Sequence, residues 1–223
     1  MSNLAVFDLD HTLINTDSDR AFVDFLIEKG LLDKDFAAAE NARFYRDYQN
    51  GCLDVREFVV FQMRPLRRFR QPELDALHQE FTERMIRPYI TQMARMLVQA
   101  HREAGDTLLV ISSTNEFIIS PICRLFGIEN IIGTRLQRDA DGCYTGVVEG
   151  IPSLREGKIT RLNEWLAARG ESRASYGKMY FYSDSHNDLP LLELADEAVA
   201  VNPDEALRRH AQQRGWEILM MVA

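Results

Sequence analysis

Apolar positions along the chain recur in two rhythms. Residues 4–7 form a short continuous apolar run that stops at Asp8, as a strand buried on both faces would. Similar runs recur at 107–111, 179–182 and 198–201. Between them lie stretches with helical spacing; over 157–169, Ile159, Leu162, Trp165 and Leu166 share one stripe. Strands alternating with helices predict an α/β fold with a parallel sheet covered by helices on both faces.

Two segments break the alternation. Residues 18–88 contain no strand pattern and read as several helices, with breaks near Gly30, at Gly51-Cys52-Leu53-Asp54 and across 65–72. Phe58, Phe61, Met63 and Phe81 in this segment read as core. Residues 136–148 carry the turn signal Asp141-Gly142 between two strand-like arms, predicting a hairpin that projects near the sheet edge.

Composition narrows the class. Hydrophobic residues are 46% and charged residues 27% of the 223, as in a globular chain rather than a disordered one. The formal net charge of −8 argues against nucleic acid or an anionic membrane as partner. The basic run Arg64-Pro65-Leu66-Arg67-Arg68-Phe69-Arg70 reads as a solvated or substrate-facing loop. Cys52, Cys123 and Cys143 are far apart and form no Cys-x-x-Cys pair, so neither a disulfide framework nor a zinc knuckle is expected. The first apolar run is too short for a signal peptide, and no stretch reaches a membrane-spanning length; a cytoplasmic location is the expectation.

In open parallel sheets ligands bind beyond the carboxyl ends of the strands, so the residues after each run carry the chemistry. They are Asp8-Leu9-Asp10-His11-Thr12, Ser112-Ser113-Thr114-Asn115 and Ser183-Asp184-Ser185-His186-Asn187-Asp188. Several aspartates gathered at one edge repel one another, and a hard divalent cation is the natural neutraliser. Oxygen ligands without Cys or His favour magnesium over zinc, and magnesium commonly shares its shell with substrate phosphate.

These motifs resemble those of the haloacid dehalogenase superfamily. Asp8-Leu9-Asp10-His11-Thr12 is similar to its first motif, residues 108–112 to its second, Lys158 to its third-motif lysine, and Ser183-Asp184-x-x-x-Asp188 to its fourth, all in family order. The resemblance implies a Rossmann-like core over 1–16 and 89–223, with a helical class-one cap over 17–88. It implies a magnesium-dependent phosphatase in which Asp8 is the nucleophile and Asp10 the general acid and base. Ser112 and Lys158 would steady the transferring phosphoryl group. Asp8, Asp10 and Asp184 would hold the metal, with Asp10 able to contribute its main-chain carbonyl. Asp188 would hold Lys158 or a metal-bound water.

The helical insertion and the run Ser183 to Leu192 look like the phosphoserine phosphatase subgroup. The chain departs from it at Ser112-Ser113-Thr114-Asn115, at Ser183-Asp184 and at Asp17, where that subgroup usually has Ser-Gly-Gly, Gly-Asp and Glu. Asp17-Ser18-Asp19, the Thr114-Asn115 pair and Pro152 to Lys158 resemble instead a bacterial branch that includes histidinol-phosphate phosphatases. On that resemblance Asp17, Asp19, Ser113, Thr114, Asn115 and Asn187 are expected at a small phosphorylated metabolite bearing an amine. Histidinol phosphate is favoured and phosphoserine next, with Arg64 or Arg67 as a carboxylate partner for the latter. A phosphotransferase of the same fold and a non-enzymatic phospho-receiver are the alternatives.

Overall fold

The computed structural model describes residues 1–67 and 69–221; Arg68 of the basic run lies outside the described residues. The chain runs β1 (Leu4–Phe7), α1 (Ser18–Glu28), α2 (Lys34–Gln49), α3 (Val55–Met63), α4 (Gln71–Phe81), α5 (Gln92–Glu103), β2 (Thr107–Asn115) and α6 (Glu116–Arg124). It continues through β3 (Asn130–Arg138), β4 (Tyr144–Glu149), α7 (Glu156–Ala168), β5 (Met179–Ser183), α8 (Leu189–Leu192), β6 (Glu197–Val201), α9 (Glu205–Arg214) and β7 (Glu217–Leu219).

Among the described residues the strands form one sheet in the order β4-β3-β2-β1-β5-β6-β7. Every pairing is parallel except β3 with β4. The two faces of β1 show why the run is continuous. Ala5 and Phe7 join the core that contains α1, α5 and α6, while Leu4 and Val6 join the core beneath α7 and α9. A strand with helices on both sides has no face left for polar residues. From β1 the chain first builds the sheet outward through β2 and β3, then returns to β5 on the other side. The carboxyl end of β1 is therefore the switch point of the topology, where a crevice opens.

The expected hairpin is present, but its first arm is a sheet strand. Asn130 to Ile132 pair with β2 before the same strand turns to pair with β4. Gly142 takes φ +80° in the turn between the arms. β7 had no signal in the sequence: it is three residues long, begins with an exposed glutamate and pairs only at the sheet edge.

Aspartates start the helices after β1. The side chains of Asp17, Asp33 and Asp54 accept N–H groups in the first turns of α1, α2 and α3, contacts worth about 1 kcal/mol each. The apolar core does not stop at the sheet layer. Phe22 of α1 lies edge-on to Phe81 of α4 and to Phe117 of α6, at ring separations of 5.1 and 5.9 Å. A smaller cluster of Val23, Ala37, Phe44 and Phe61 joins α1, α2 and α3. The carboxyl end of α2 lies against the loop after β5: Tyr48 Oη is 3.0 Å from Ser185 Oγ, and Asn187 Nδ2 donates to the Tyr48 carbonyl at 3.2 Å. Among the described residues no helix is long and apolar enough to cross a membrane.

Candidate active site

Asp8 follows β1 directly, and its N–H still donates to the Tyr182 carbonyl at 2.8 Å. That bond fixes the backbone from which the carboxylate projects. The next turn curls tightly: the Leu9 carbonyl accepts from Thr12, Leu13 and Ile14, and His11 takes φ +54°. Leu9, Leu13 and Ile14 are buried beneath this turn and anchor it.

Lys158 lies in the first turn of α7 and is 2% exposed. Its Nζ donates to Asp8 Oδ1 at 2.8 Å and to Asp188 Oδ2 at 2.6 Å, and Ser183 Oγ lies 2.6 Å from the same Asp188 oxygen. Burial alone would lower the Lys158 pKa; the charges of Asp188 and Asp8 overcome that and hold it above the usual lysine range. Lys178 sits at the opposite edge of the sheet, paired with Glu197.

The carboxylates crowd one another. Burial, then the charges of Asp8, Asp188 and Asp10, push Asp184 well above the usual carboxylate range. Asp8 is pushed up to about 7, chiefly by burial, against the opposing charge of Lys158. Asp10 rises to about 6, through burial and then Asp17. One lysine does not balance this group, and the uncompensated charge fits a divalent cation. Among the described residues no group of three or more His, Cys, Asp or Glu side chains is placed to hold a metal ion. An oxygen site with two side-chain carboxylates suits magnesium, which keeps waters and takes phosphate oxygens into its shell.

A cavity of roughly 470 Å³ opens over Asp8, Asp10 and Asp184. Asp17 and Asp19 line it from the start of α1, Ser113 and Thr114 from the end of β2. Tyr45, Tyr48 and Phe58 line the side formed by α2 and α3, so Phe58 faces the cavity rather than the core alone. Asn41, Tyr45 and Tyr48 went unnoticed in the sequence, although their i, i+4, i+7 spacing puts them on one helix face.

The expected site residues separate into two groups. Asp8, Asp10, Asp17, Asp19, Ser113, Thr114 and Asp184 line the cavity, with Ser112, Lys158 and Asp188 buried around its floor. Asn115 and Asn187 do not line it. Asn115 Oδ1 caps α6 by accepting from Ile118, and its Nδ2 donates to Gln62 Oε1 at 3.2 Å. Asn187 Oδ1 accepts from Arg155 Nε at 2.9 Å, and its amide reaches back to α2. Ser112 Oγ accepts from the Thr114 N–H at 3.1 Å. Asp17 has two aspects, since it lines the cavity and also caps α1 by accepting from the Arg20 N–H at 2.9 Å.

Asp19 is more enclosed than its position in the sequence suggests. Gln62 Nε2 donates to its Oδ1 at 2.8 Å, and Thr114 Oγ1 lies 2.8 Å from its Oδ2. Burial, then the charges of Asp17 and Asp10, push its pKa up to about 8. Arg64 and Arg67 do not line the cavity; Arg67 instead donates to the Thr145 carbonyl on the β3–β4 hairpin. Arg20 is the one Lys or Arg among the described lining residues.

Comparison with known proteins shows the family and the fold. The chain is 61% identical over 219 residues to a histidinol-phosphatase of Neisseria meningitidis serogroup C (strain 8013), covering 98% of this chain and 99% of that protein. A crystal structure of a protein of unknown function from Bordetella pertussis Tohama I superposes with a TM-score of 0.93 at 41% identity, covering both chains completely. A substrate-bound phosphoserine phosphatase shares the fold with a TM-score of 0.68 at 17% identity, covering 98% of this chain and 93% of that one. The haloacid dehalogenase-like hydrolase family matches residues 5–193, and with the strand-end aspartates and the buried lysine in their expected order, the chain belongs to that family.

Proposed function

We propose that this protein is a magnesium-dependent phosphatase that hydrolyses histidinol phosphate through a phosphorylated Asp8. The helices of residues 17–88 act as the cap, and Asp8, Asp184 and the main-chain carbonyl of Asp10 would hold the metal. When bound, magnesium neutralises phosphate and carboxylate charge, so that an anionic nucleophile can approach an anionic ester.

An Asp8 carboxylate oxygen attacks phosphorus in line with the ester oxygen. The P–O bond to the alcohol breaks as protonated Asp10 delivers its proton to that oxygen. Asp10, now a carboxylate, takes a proton from water as the water oxygen attacks the phosphoaspartate. The P–O bond to Asp8 breaks, phosphate leaves, and both aspartates return to their starting states. Lys158 holds Asp8 in place and, with Ser112, donates to the phosphoryl oxygens as charge gathers on them.

The observation that carries the substrate is the character of the cavity wall. Asp17, Tyr45, Tyr48 and Phe58 offer an acid and aromatic faces, while Arg64 and Arg67 do not line the cavity and Arg67 donates to the Thr145 carbonyl. An ammonium and an imidazole suit such a wall, through charge and through cation–π contact. A substrate carboxylate would face Asp17, with Arg20 the one Lys or Arg among the described lining residues to meet it. The identity to a named histidinol-phosphatase supports the same choice. The test is phosphate release from histidinol phosphate and from phosphoserine. A kcat/KM at least about 10-fold higher for histidinol phosphate is expected, the scale of one charge-assisted contact. A preference for phosphoserine, or no release from either, would overturn the reading.

A further inference from the structure

Thr114 Oγ1 stands between two carboxylates, 3.0 Å from Asp10 Oδ2 and 2.8 Å from Asp19 Oδ2. A hydroxyl has one proton and donates to only one of them, so the trio is a directional chain rather than two independent contacts. Asp19 is held from its other oxygen by Gln62 Nε2 at 2.8 Å, and Gln62 by Asn115 Nδ2 at 3.2 Å. Gln62, Thr114 and Asn115 are each at most 2% exposed, while Asp10 and Asp19 are half-buried at the cavity wall. The second oxygen of Asp10 accepts the Ser18 N–H at 2.7 Å, in the same turn of α1 that carries Asp19.

We propose that Gln62 and Asp19 are positioning residues for Asp10, acting through Thr114, and that Asp19 is not a charge contact for the substrate. A buried glutamine on α3 has no packing reason to be polar. Its amide costs free energy unless both ends are bonded, and here one end is spent on Asp19 and the other on Asn115. The chain thus ties the rotamer of the acid–base group to a helix of the cap, so the acid is aligned only with α3 docked. The proposal rests on the phosphatase reading and on Asp10 as its acid.

The leaving group supplies the test. Phenyl phosphate expels a basic phenoxide that needs a proton, whereas p-nitrophenyl phosphate expels a weak base that does not. Neither ester has an amine, so contacts with the cap wall drop out of the comparison. Gln62→Met and Asp19→Ala should lower kcat/KM on phenyl phosphate, which reports formation of the phosphoenzyme and not its hydrolysis, on the order of 100-fold, the cost of a misplaced catalytic group. On p-nitrophenyl phosphate the loss in kcat/KM should stay under about 5-fold, because the proton transfer to the leaving group matters little there.

Asp19→Asn is the rescue. Its carbonyl still accepts from Gln62, its amide donates to Thr114, and the Thr114 hydroxyl donates to Asp10. It should stay within about 3-fold of the parent on both esters, less than one neutral hydrogen bond. If Gln62→Met does not fold, Asp19→Asn against Asp19→Ala makes the same comparison. Equal losses on the two esters, or Asp19→Asn as damaged as Asp19→Ala, would overturn the proposal. A parent protein that releases no phosphate from either ester would overturn the phosphatase reading instead.

Discussion

Lys158 Nζ and Asp188 Oδ2 lie 2.6 Å apart, with both residues 2% exposed. An ion pair so enclosed persists because the second acid, Asp8, shares the ammonium at 2.8 Å. Removing the cation leaves two buried carboxylates facing each other, a loss of about 3–5 kcal/mol when one partner of a buried pair is deleted. Lys158→Met should therefore lower the melting temperature by roughly 6–20 °C at neutral pH, given about 2–4 °C per kcal/mol for a chain of this size. Its kcat should also fall at least about 100-fold. Calorimetry reads the first effect and phosphate release the second; an unchanged melting temperature would mean that the acids are neutralised by protons instead.

Chelation should abolish phosphate release and magnesium should restore it, because Asp8 and Asp184 supply hard oxygen donors. Zinc should restore little. Binding is also visible without turnover: magnesium should raise the melting temperature of the parent, and Asp184→Asn should erase that rise. Full activity after rigorous chelation would remove the metal from the mechanism.

Asp17→Asn separates charge from capping. Asparagine caps a helix about as well as aspartate, so α1 should keep its first-turn bond and the protein its stability. Only the negative charge in the cavity is lost. Turnover of histidinol phosphate should fall about 10- to 150-fold, corresponding to 1.5–3 kcal/mol, with p-nitrophenyl phosphate nearly unaffected. Equal losses on both substrates would return Asp17 to a purely structural role.

His78 predicts a pH effect on stability remote from the site. Its ring stacks on Phe117 at 3.7 Å, and its buried Nε2 has no hydrogen-bond partner among the described residues. Burial, then the charge of Arg124, lowers its pKa from 6.5 to about 4. Between those values the unfolded chain binds a proton that the folded chain refuses, so stability falls as pH drops through 6.5 toward 4. The loss amounts to at most about 3 kcal/mol. His78→Gln should flatten that part of the stability profile in urea titrations; an unchanged slope would assign it to the carboxylates.

The strand order of the chemistry was legible because it depends on local pattern. Runs such as Leu4 to Phe7 are apolar at every position because both faces are covered, and the residue after such a run must sit at a strand end. That logic marked out Asp8, Asp10, Ser112 and Asp184 without any knowledge of distances. Lys158 was legible from its place at a helix start and from the family motif. β7 was not, since a short edge strand with a polar first residue has no buried face to announce it.

The chain by itself therefore determined the alternation of strands and helices, the strand-end acids and the family they resemble. Only the tertiary structure decided which way the polar groups around those acids turned. Asp19 read as a cavity acid, yet its partners Gln62 and Thr114 are 43 and 95 residues away. Arg67 read as a cation for the cavity, yet it donates to a carbonyl 78 residues away on the β3–β4 hairpin. Periodicity reports which residues are buried on one element. The partner of a buried polar group is set by how separate elements pack, because each such group must find a bond wherever the fold brings one within reach.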